Sequence, residues 1–359
     1  MRVHLIGMLS AVALAIGLTG ANVIAQYQYE WDRQYGTVES HIAAAKAAAG
    51  QDLQMLLSLC EAPRPPQPGQ PPAAGREIPS DLSTWHHEPA KVFDNLYFAG
   101  TKSRHVWAIT TTEGIVLIES IADWSIPDAV ENLKKLGLDP TQIKYVIVSH
   151  AHADHYGGAR YLQERFGARV IMSAMDWDLI DRSPEQRRPG SSAGGPKPKR
   201  DMVVRDGQKL TVGDVTLTFY YTPGHTLGTI STLIYPLKDG GKRYTAAMMG
   251  GTGFNWQGQF RNDFMASQEV GDRFWLETYI NGIQRLRDIA ERAGAEISLA
   301  NHTNFEATDA KLAVLAKRKP GDPHPYVLGK EGVKRSLTVP VECAKAGVAR
   351  LNAGFRPPS

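Results

Sequence analysis

Residues 91–98, 105–111 and 114–119 are short β-rich runs separated by turn signals, a pattern that predicts strands. Apolar positions then change to helical spacing over 127–136. Residues 143–149 predict a buried strand, 158–166 a helix, 169–173 another strand and 175–181 a short helix. The second half repeats this order, with strands at 203–210, 215–221, 229–235 and 243–249, a long amphipathic helix at 267–293, and a last short strand at 297–300. Strands followed by helices, twice over, predict an α/β fold in which two sheets pack face to face with helices on their outer sides.

The first 80 residues follow different rules. Residues 1–25 carry Arg2, an apolar run over 5–18 and a small-residue site ending at Ala25, which reads as a cleavable export signal. The run is shorter than the roughly 20 residues a spanning helix needs, so no stable membrane anchor is expected after cleavage, and the periplasm or the exterior is the expected location. Residues 26–80 read as an arm: a helix over 40–49, a break at Gly50, a second short helix from Asp52, and a Pro-rich extended connector over 61–80. Residues 81–359 read as the catalytic domain, closed by a C-terminal helix near 340–351. Cys60 and Cys343 both fall in helical stretches. In an oxidising compartment they either pair, tying arm to C-terminal helix, or remain two buried thiols.

A net charge of +3, dispersed along the chain, gives no case for nucleic acid as a partner and leaves a small-molecule substrate as the expectation. The one basic cluster, Arg187, Arg188, Lys197, Lys199 and Arg200, flanks a Gly/Ser/Pro-rich stretch. It reads as a solvated loop, or alternatively as a flap that draws anionic substrates.

Chemistry concentrates in Ser149-His150-Ala151-His152-Ala153-Asp154-His155, which follows the buried strand at 143–149. A chance His-x-His-x-Asp-His run has odds on the order of one in a thousand in a chain of this composition. His225, in Pro223-Gly224-His225-Thr226, and His302, in Asn301-His302, also stand at strand ends, and the Pro-Gly turn presents the His225 ring at a sheet edge. Six donors split into two sets of three, leaving positions for water as catalytic zinc requires. Two divalent ions would activate a shared water and polarise a carbonyl without a serine or cysteine nucleophile. Asp154 is the candidate catalytic residue, binding an ion and aiming the water. His4, His41, His86, His87, His105 and His324 lack such spacing and read as structural or solvent-facing.

Through the His150–His155 run, the Pro223–Thr226 turn, Asn301-His302 and the strand order, residues 85–335 resemble the metallo-β-lactamase superfamily. The resemblance implies the αβ/βα four-layer sandwich and two zinc ions in a groove at one edge. One ion would be held by His150, His152 and His225, the other by Asp154, His155 and His302. After the strand at 243–249, many relatives place a bridging Asp and two β-lactamase subclasses a Cys. Here the chain reads Met249-Gly250-Gly251-Thr252, which resembles the third subclass of metallo-β-lactamases. Thr252 stands where that subclass carries carboxylate-binding serines, Leu227 replaces a common proline, and Glu119 stands where relatives often carry Asp. Trp177, Phe254 and Trp256 are candidate groove walls, with core packing as the alternative. The reading is a zinc-dependent β-lactamase acting on penicillins, cephalosporins and carbapenems; the alternatives are a same-fold hydrolase of a lactone, thioester or amide, and a non-catalytic zinc-binding protein.

Overall fold

A computed structural model of the chain describes residues 35–62, 78–183, 195–254 and 271–356. The export segment 1–25, most of the Pro-rich connector, and Arg187 and Arg188 lie outside the described residues.

The arm forms helix α1 (Val38–Ala49), which starts at a reciprocal cap. The Thr37 hydroxyl accepts from Ser40 N, and the Ser40 hydroxyl accepts from Thr37 N, each at 3.1 Å. Gly50, at φ 54°, ends it. The short helix expected from Asp52 is a 3-10 segment, Gln54–Cys60.

Strands β1 (Ala90–Phe93), β2 (Leu96–Phe98), β3 (Trp107–Thr111) and β4 (Gly114–Ile118) form an antiparallel meander. Helix α2 (Ile126–Lys135) crosses back to β5 (Ile143–Ile147). The one-turn helix α3 (Ala153–Tyr156) and helix α4 (Ala159–Phe166) lead to β6 (Arg169–Ser173), and α5 (Ala174–Arg182) precedes β7 (Met202–Val204). The first sheet therefore runs in sequence order from β1 to β7, parallel from β4 onward. Buried side chains alternate along β4. Val116 and Ile118 face the space between the sheets, while Ile115 and Leu117 face α2 and α4.

The single strand expected over 203–210 is instead two, β7 and β8 (Lys209–Val212), and they belong to different sheets. Gly207 at φ 74° turns the chain between them, donating its N–H to Phe219 O at 2.7 Å. The Asp206 carboxylate pins the crossing by accepting from Tyr221 N at 2.8 Å and from Arg285. β9 (Val215–Tyr221), β10 (Ile230–Asp239), β11 (Lys242–Met248) and β12 (Ile297–Leu299) complete a second sheet of order β12-β11-β10-β9-β8.

Helix α6 (Asp272–Arg292) and helix α8 (Gly329–Asn352) cover the outer face of this sheet, with α7 (Thr308–Leu315) between them in the chain. One apolar core lies between the sheets, around Phe98, Trp107 and Phe219. A second lies between the first sheet and α2, α4 and α5, and a third between the second sheet and α6 and α8. Helix, sheet, sheet, helix is the αβ/βα sandwich that the resemblance implies. α8 begins well before the expected 340, because Gly332 and the internal Pro340 mask its apolar period; both are buried.

Cys60 and Cys343 form a disulfide, which decides between the two alternatives left by the sequence. Ala45, Ala49, Leu53, Leu56 and Cys60 of the arm bury against Val339 and Cys343 of α8. Arg335 adds a double ion pair to Asp52. A cross-link spanning this much chain removes a large share of unfolded-state entropy, so reduction or Cys60→Ser is expected to lower stability by about 2–4 kcal/mol. Urea unfolding of oxidised and reduced protein measures this; coincident midpoints would show that apolar packing alone holds the arm.

Candidate metal centre

Every candidate ligand lies in a loop or on the one-turn helix α3, at the same end of the two sheets. β5 leads to His150, α3 begins at His152 and carries Asp154 and His155, β9 leads to His225, and β12 leads to His302. Asp154 falls in the first turn of α3, where a carboxylate suits the positive helix end. The loops are tied to one another through the backbone, Ile230 N donating to Ser149 O at 2.9 Å and Met249 N to Leu299 O at 3.0 Å.

The six donors form two triads. His225 Nε2 lies 3.0 Å from His150 Nε2 and 3.1 Å from His152 Nδ1. In the second triad His155 Nε2 lies 3.1 Å from His302 Nε2, and Asp154 Oδ2 lies 3.5 Å from the first and 3.9 Å from the second. Three ligands at tetrahedral zinc distances stand roughly 3.3 Å from one another. Both sets match that spacing, and within each set all donor atoms fall within 4.8 Å of one another. No other group of this kind occurs among the described residues.

The protonation pattern also fits a cation. His150 Nδ1 donates to Gly250 O at 2.8 Å and His225 Nδ1 to Gly253 O at 2.5 Å, which leaves each Nε2 lone pair facing the triad. Burial pulls the pKa of His150, His152 and His302 well below the ordinary imidazole value and that of His225 down to about 4. Neutral imidazole is the form that binds metal. In the second triad, the Glu119 carboxylate stands 3.2 Å from His155 Nδ1, and both residues are fully enclosed. Glu119 holds φ 72°, a left-handed conformation rare for a residue with a side chain, so the backbone bends to bring this carboxylate under the ring.

Two further residues emerge only in three dimensions. The buried Asp176 carboxylate accepts from Ala151 N at 2.9 Å, Thr226 Oγ1 at 2.8 Å and Gly228 N at 3.1 Å, joining the His150 loop to the His225 turn. Burial pushes this carboxyl up to about 6 while the three donors pull it down. In sequence it is an unremarked acid in the first turn of α5. Arg104, in the turn between β2 and β3, donates from Nε to Asp154 Oδ2 at 2.6 Å. Desolvation works to raise the pKa of Asp154, but the guanidinium and then His155 outweigh it and hold the carboxyl well below the usual range. Lys102-Ser103-Arg104 carries no sequence signal beyond that of a basic turn.

The substrate contacts expected from sequence fare differently. Trp177 is fully buried in the core between the first sheet and its helices, donating Nε1–H to Met202 O at 2.9 Å. It therefore packs the core and does not wall a groove. The Thr252 side chain is also buried. Its carbonyl accepts from Tyr279, and the residue lines a small cavity together with Leu53, Leu56, Phe305 and Glu306. Phe254 is half-buried, 5.4 Å from the Tyr279 ring, and Trp256 lies outside the described residues. The glycines around Thr252 have a steric cause. A Cβ on Gly250 would lie 1.9 Å from Ile230 O, and one on Gly251 would lie 2.4 Å from His225 Cβ. Of the basic cluster, Arg200 is neutralised by Asp178 and Asp181, and Lys197 bonds to Asp181 O, so the described part lies against α5.

Residues 99–234 match the family model of the metallo-β-lactamase superfamily. BJP-1, a subclass B3 metallo-β-lactamase of Bradyrhizobium japonicum, shares the fold with a TM-score of 0.57 and 25% identity, covering 70% of this chain and 90% of that one. The FEZ-1 metallo-β-lactamase of Legionella gormanii aligns with a TM-score of 0.59 and 27% identity, over 71% and 92% of the two chains. In sequence, the N-acyl homoserine lactonase AttM of Azorhizobium caulinodans is 31% identical over 182 residues, 47% of this chain and 61% of that protein. The chain spans just under two thirds of the curated relatives it matches first, 61% and 65% of their lengths. Residues 99–234 thus carry a metallo-β-lactamase domain, and the fold is the one these subclass B3 structures share.

Asp176→Ala would leave the buried N–H groups of Ala151 and Gly228 unpaired, while Thr226 Oγ1 keeps Thr229 Oγ1, so a stability loss of about 2–3 kcal/mol is expected, together with zinc affinity lower by roughly 10–100-fold. Urea unfolding combined with chelator-competition titration tests both; unchanged zinc affinity would show that the two loops hold their positions without this carboxylate.

Proposed function

We propose that the chain is a zinc-dependent β-lactamase that opens the lactam ring of penicillins, cephalosporins and carbapenems. The carrying observation is the pair of complete triads combined with Gly250 after β11, so that neither a bridging Asp nor a Cys ligand enters there. His150, His152 and His225 would hold one zinc ion, and Asp154, His155 and His302 the other. Ions bound there would supply a Lewis acid that polarises the scissile carbonyl and lowers the pKa of a nearby water.

The chain's own residues do the positioning. Gly250 O and Gly253 O fix the tautomers of His150 and His225, Glu119 steadies the His155 ring, and Asp154, its Oδ2 held by Arg104, would orient a water. An export signal at 1–25 is part of this reading. The Cys60–Cys343 disulfide supports it, because such bonds persist in oxidising compartments. Among the described residues no helix is long and apolar enough to cross a membrane.

One observation favours a second reading, a lactone or thioester hydrolase on the same centre. The Thr252 hydroxyl is buried, whereas a contact to the carboxylate that β-lactams carry needs an exposed donor. Purified protein is to be assayed with a penicillin, a cephalosporin, a carbapenem, an acyl-homoserine lactone and a thioester, with zinc and again after chelation. Chelator-sensitive turnover of the three lactams is the expected result. Turnover confined to the lactone or thioester would sink the lactamase reading and keep the metal chemistry. Asp154→Ala is expected to abolish turnover and Thr252→Ala to leave KM unchanged; equal, mild effects would overturn the role given to Asp154.

A further inference from the structure

Arg104 has donors that the fold leaves unused. Its backbone N–H is tied to Thr101 Oγ1 at 3.2 Å and its carbonyl accepts from Thr101 N at 2.8 Å, so the turn between β2 and β3 is closed on itself. Ser103 O joins that turn to the loop that carries His302, accepting from Thr303 N at 3.4 Å and from Arg104 Nη1 at 3.0 Å. Arg104 Nε donates to Asp154 Oδ2 at 2.6 Å, while Nη2 bonds to no described residue. Nη2 is not sealed in the interior either, since the side chain keeps 18% of its surface and this nitrogen is not one of the buried polar atoms that lack a partner. Nε–H and Nη2 share one edge of the planar guanidinium, so the unused donors stand on the side of Asp154.

The charge behind those donors reaches the whole centre. Burial is the main cause that lowers the imidazole pKa of His302, His152 and His225, and the Arg104 charge adds to it in all three, which come from both triads. An anionic group docked beside Asp154 therefore meets a cation already fixed in place and partly desolvated. This is the setting in which a guanidinium pairs best with a carboxylate, because the ordering is complete before the ligand arrives. Thr252, expected from sequence to hold the substrate's carboxylate, is buried. Arg104 offers the exposed donor that Thr252 does not.

We infer that Arg104 Nη2 is the anchor for a carboxylate on the substrate, so that the centre selects acyl compounds carrying a negative charge over neutral ones. The inference rests on the lactamase reading and deepens it. Penicillins, cephalosporins and carbapenems carry a carboxylate beside the lactam nitrogen, whereas a simple acyl-homoserine lactone carries no charge.

The test compares one penicillin with its methyl ester, which keeps the lactam and removes the charge, as substrates of the zinc-loaded full chain. Wild type is expected to favour the acid by roughly 10–100-fold in kcat/KM, the worth of one hydrogen bond to a charged group. Arg104→Gln should bring that ratio close to one, mainly by raising KM for the acid. Arg104→Lys, which keeps the charge and loses the fork, should retain part of the preference. Whatever a variant costs through Asp154 or through zinc falls on acid and ester alike, so the ratio reports the anion contact alone. A ratio unmoved in Arg104→Gln would overturn the inference and leave Arg104 a positioning residue for Asp154. Equal use of acid and ester by wild type would overturn it as well. Calorimetric titration of the two compounds separates binding from reaction. Tighter binding of the acid without turnover, with the preference lost in Arg104→Gln, would overturn the lactamase reading and keep the anion anchor. Neither turnover nor a preference in binding would overturn both.

Discussion

A single buried carboxylate makes the two halves of this molecule into one site. Asp176 sits at the start of α5, beneath the first sheet, yet its three donors come from the loop after β5 and the turn after β9, which belong to different sheets. Without that bridge, the loop bearing His150 and His152 and the turn bearing His225 would be joined only through the Ile230 N to Ser149 O bond and the carbonyls of Gly250 and Gly253. Three imidazole nitrogens about 3 Å apart repel one another unless a cation or a proton lies between them, so their convergence needs a rigid frame. A carboxylate suits that frame because it accepts from three donors at once and offers no competing donor of its own.

Close backbone approach does the rest. His150 and His225 both hand their Nδ1 protons to carbonyls of the segment after β11, and that segment reaches them only because Gly250 and Gly251 have no Cβ. Asn301 reinforces the same carbonyl, donating to Gly250 O at 2.8 Å, so one peptide oxygen serves both a metal ligand and the loop that carries His302. A run that looks in sequence like a missing substrate contact is thus the scaffold of the first triad. Selection for metal geometry and selection for substrate contact compete for these few positions.

What the sequence made legible was whatever depends on local pattern. Strands such as 169–173 and 215–221 were bounded correctly because period-2 burial and flanking turns determine them, and the six residues of the two candidate metal-holding groups stood out because imidazole and carboxylate clusters are rare. The crossing between β7 and β8 was hidden, since two short strands with a common apolar pattern look like one until a sheet partner is assigned to each. Asp176 and Arg104 were hidden for a related reason. Their roles come from partners at separations of 25 to 52 residues along the chain, and nothing beside them in sequence marks an acid or a base as buried. Trp177 misled because its nearness to the motif in sequence was taken for nearness to the groove, whereas α5 turns that ring into the core.

The arm, which the sequence sets apart from the catalytic domain, connects physically to the metal centre. Leu53 and Leu56 pack in the cluster that includes Phe254 and Phe305. Phe254 meets the ring of Tyr279, whose hydroxyl holds the carbonyl of Thr252, and the next carbonyl, that of Gly253, accepts the His225 proton. Phe305 lies 5.9 Å from the His302 ring on the other side. The disulfide thus staples to α8 an apolar plug that backs one ligand of each triad. A domain with complete strands and helices could fold without that plug, but the loops behind His225 and His302 would lose the packing that limits their motion, and a metal centre is only as well defined as the loops that carry its ligands.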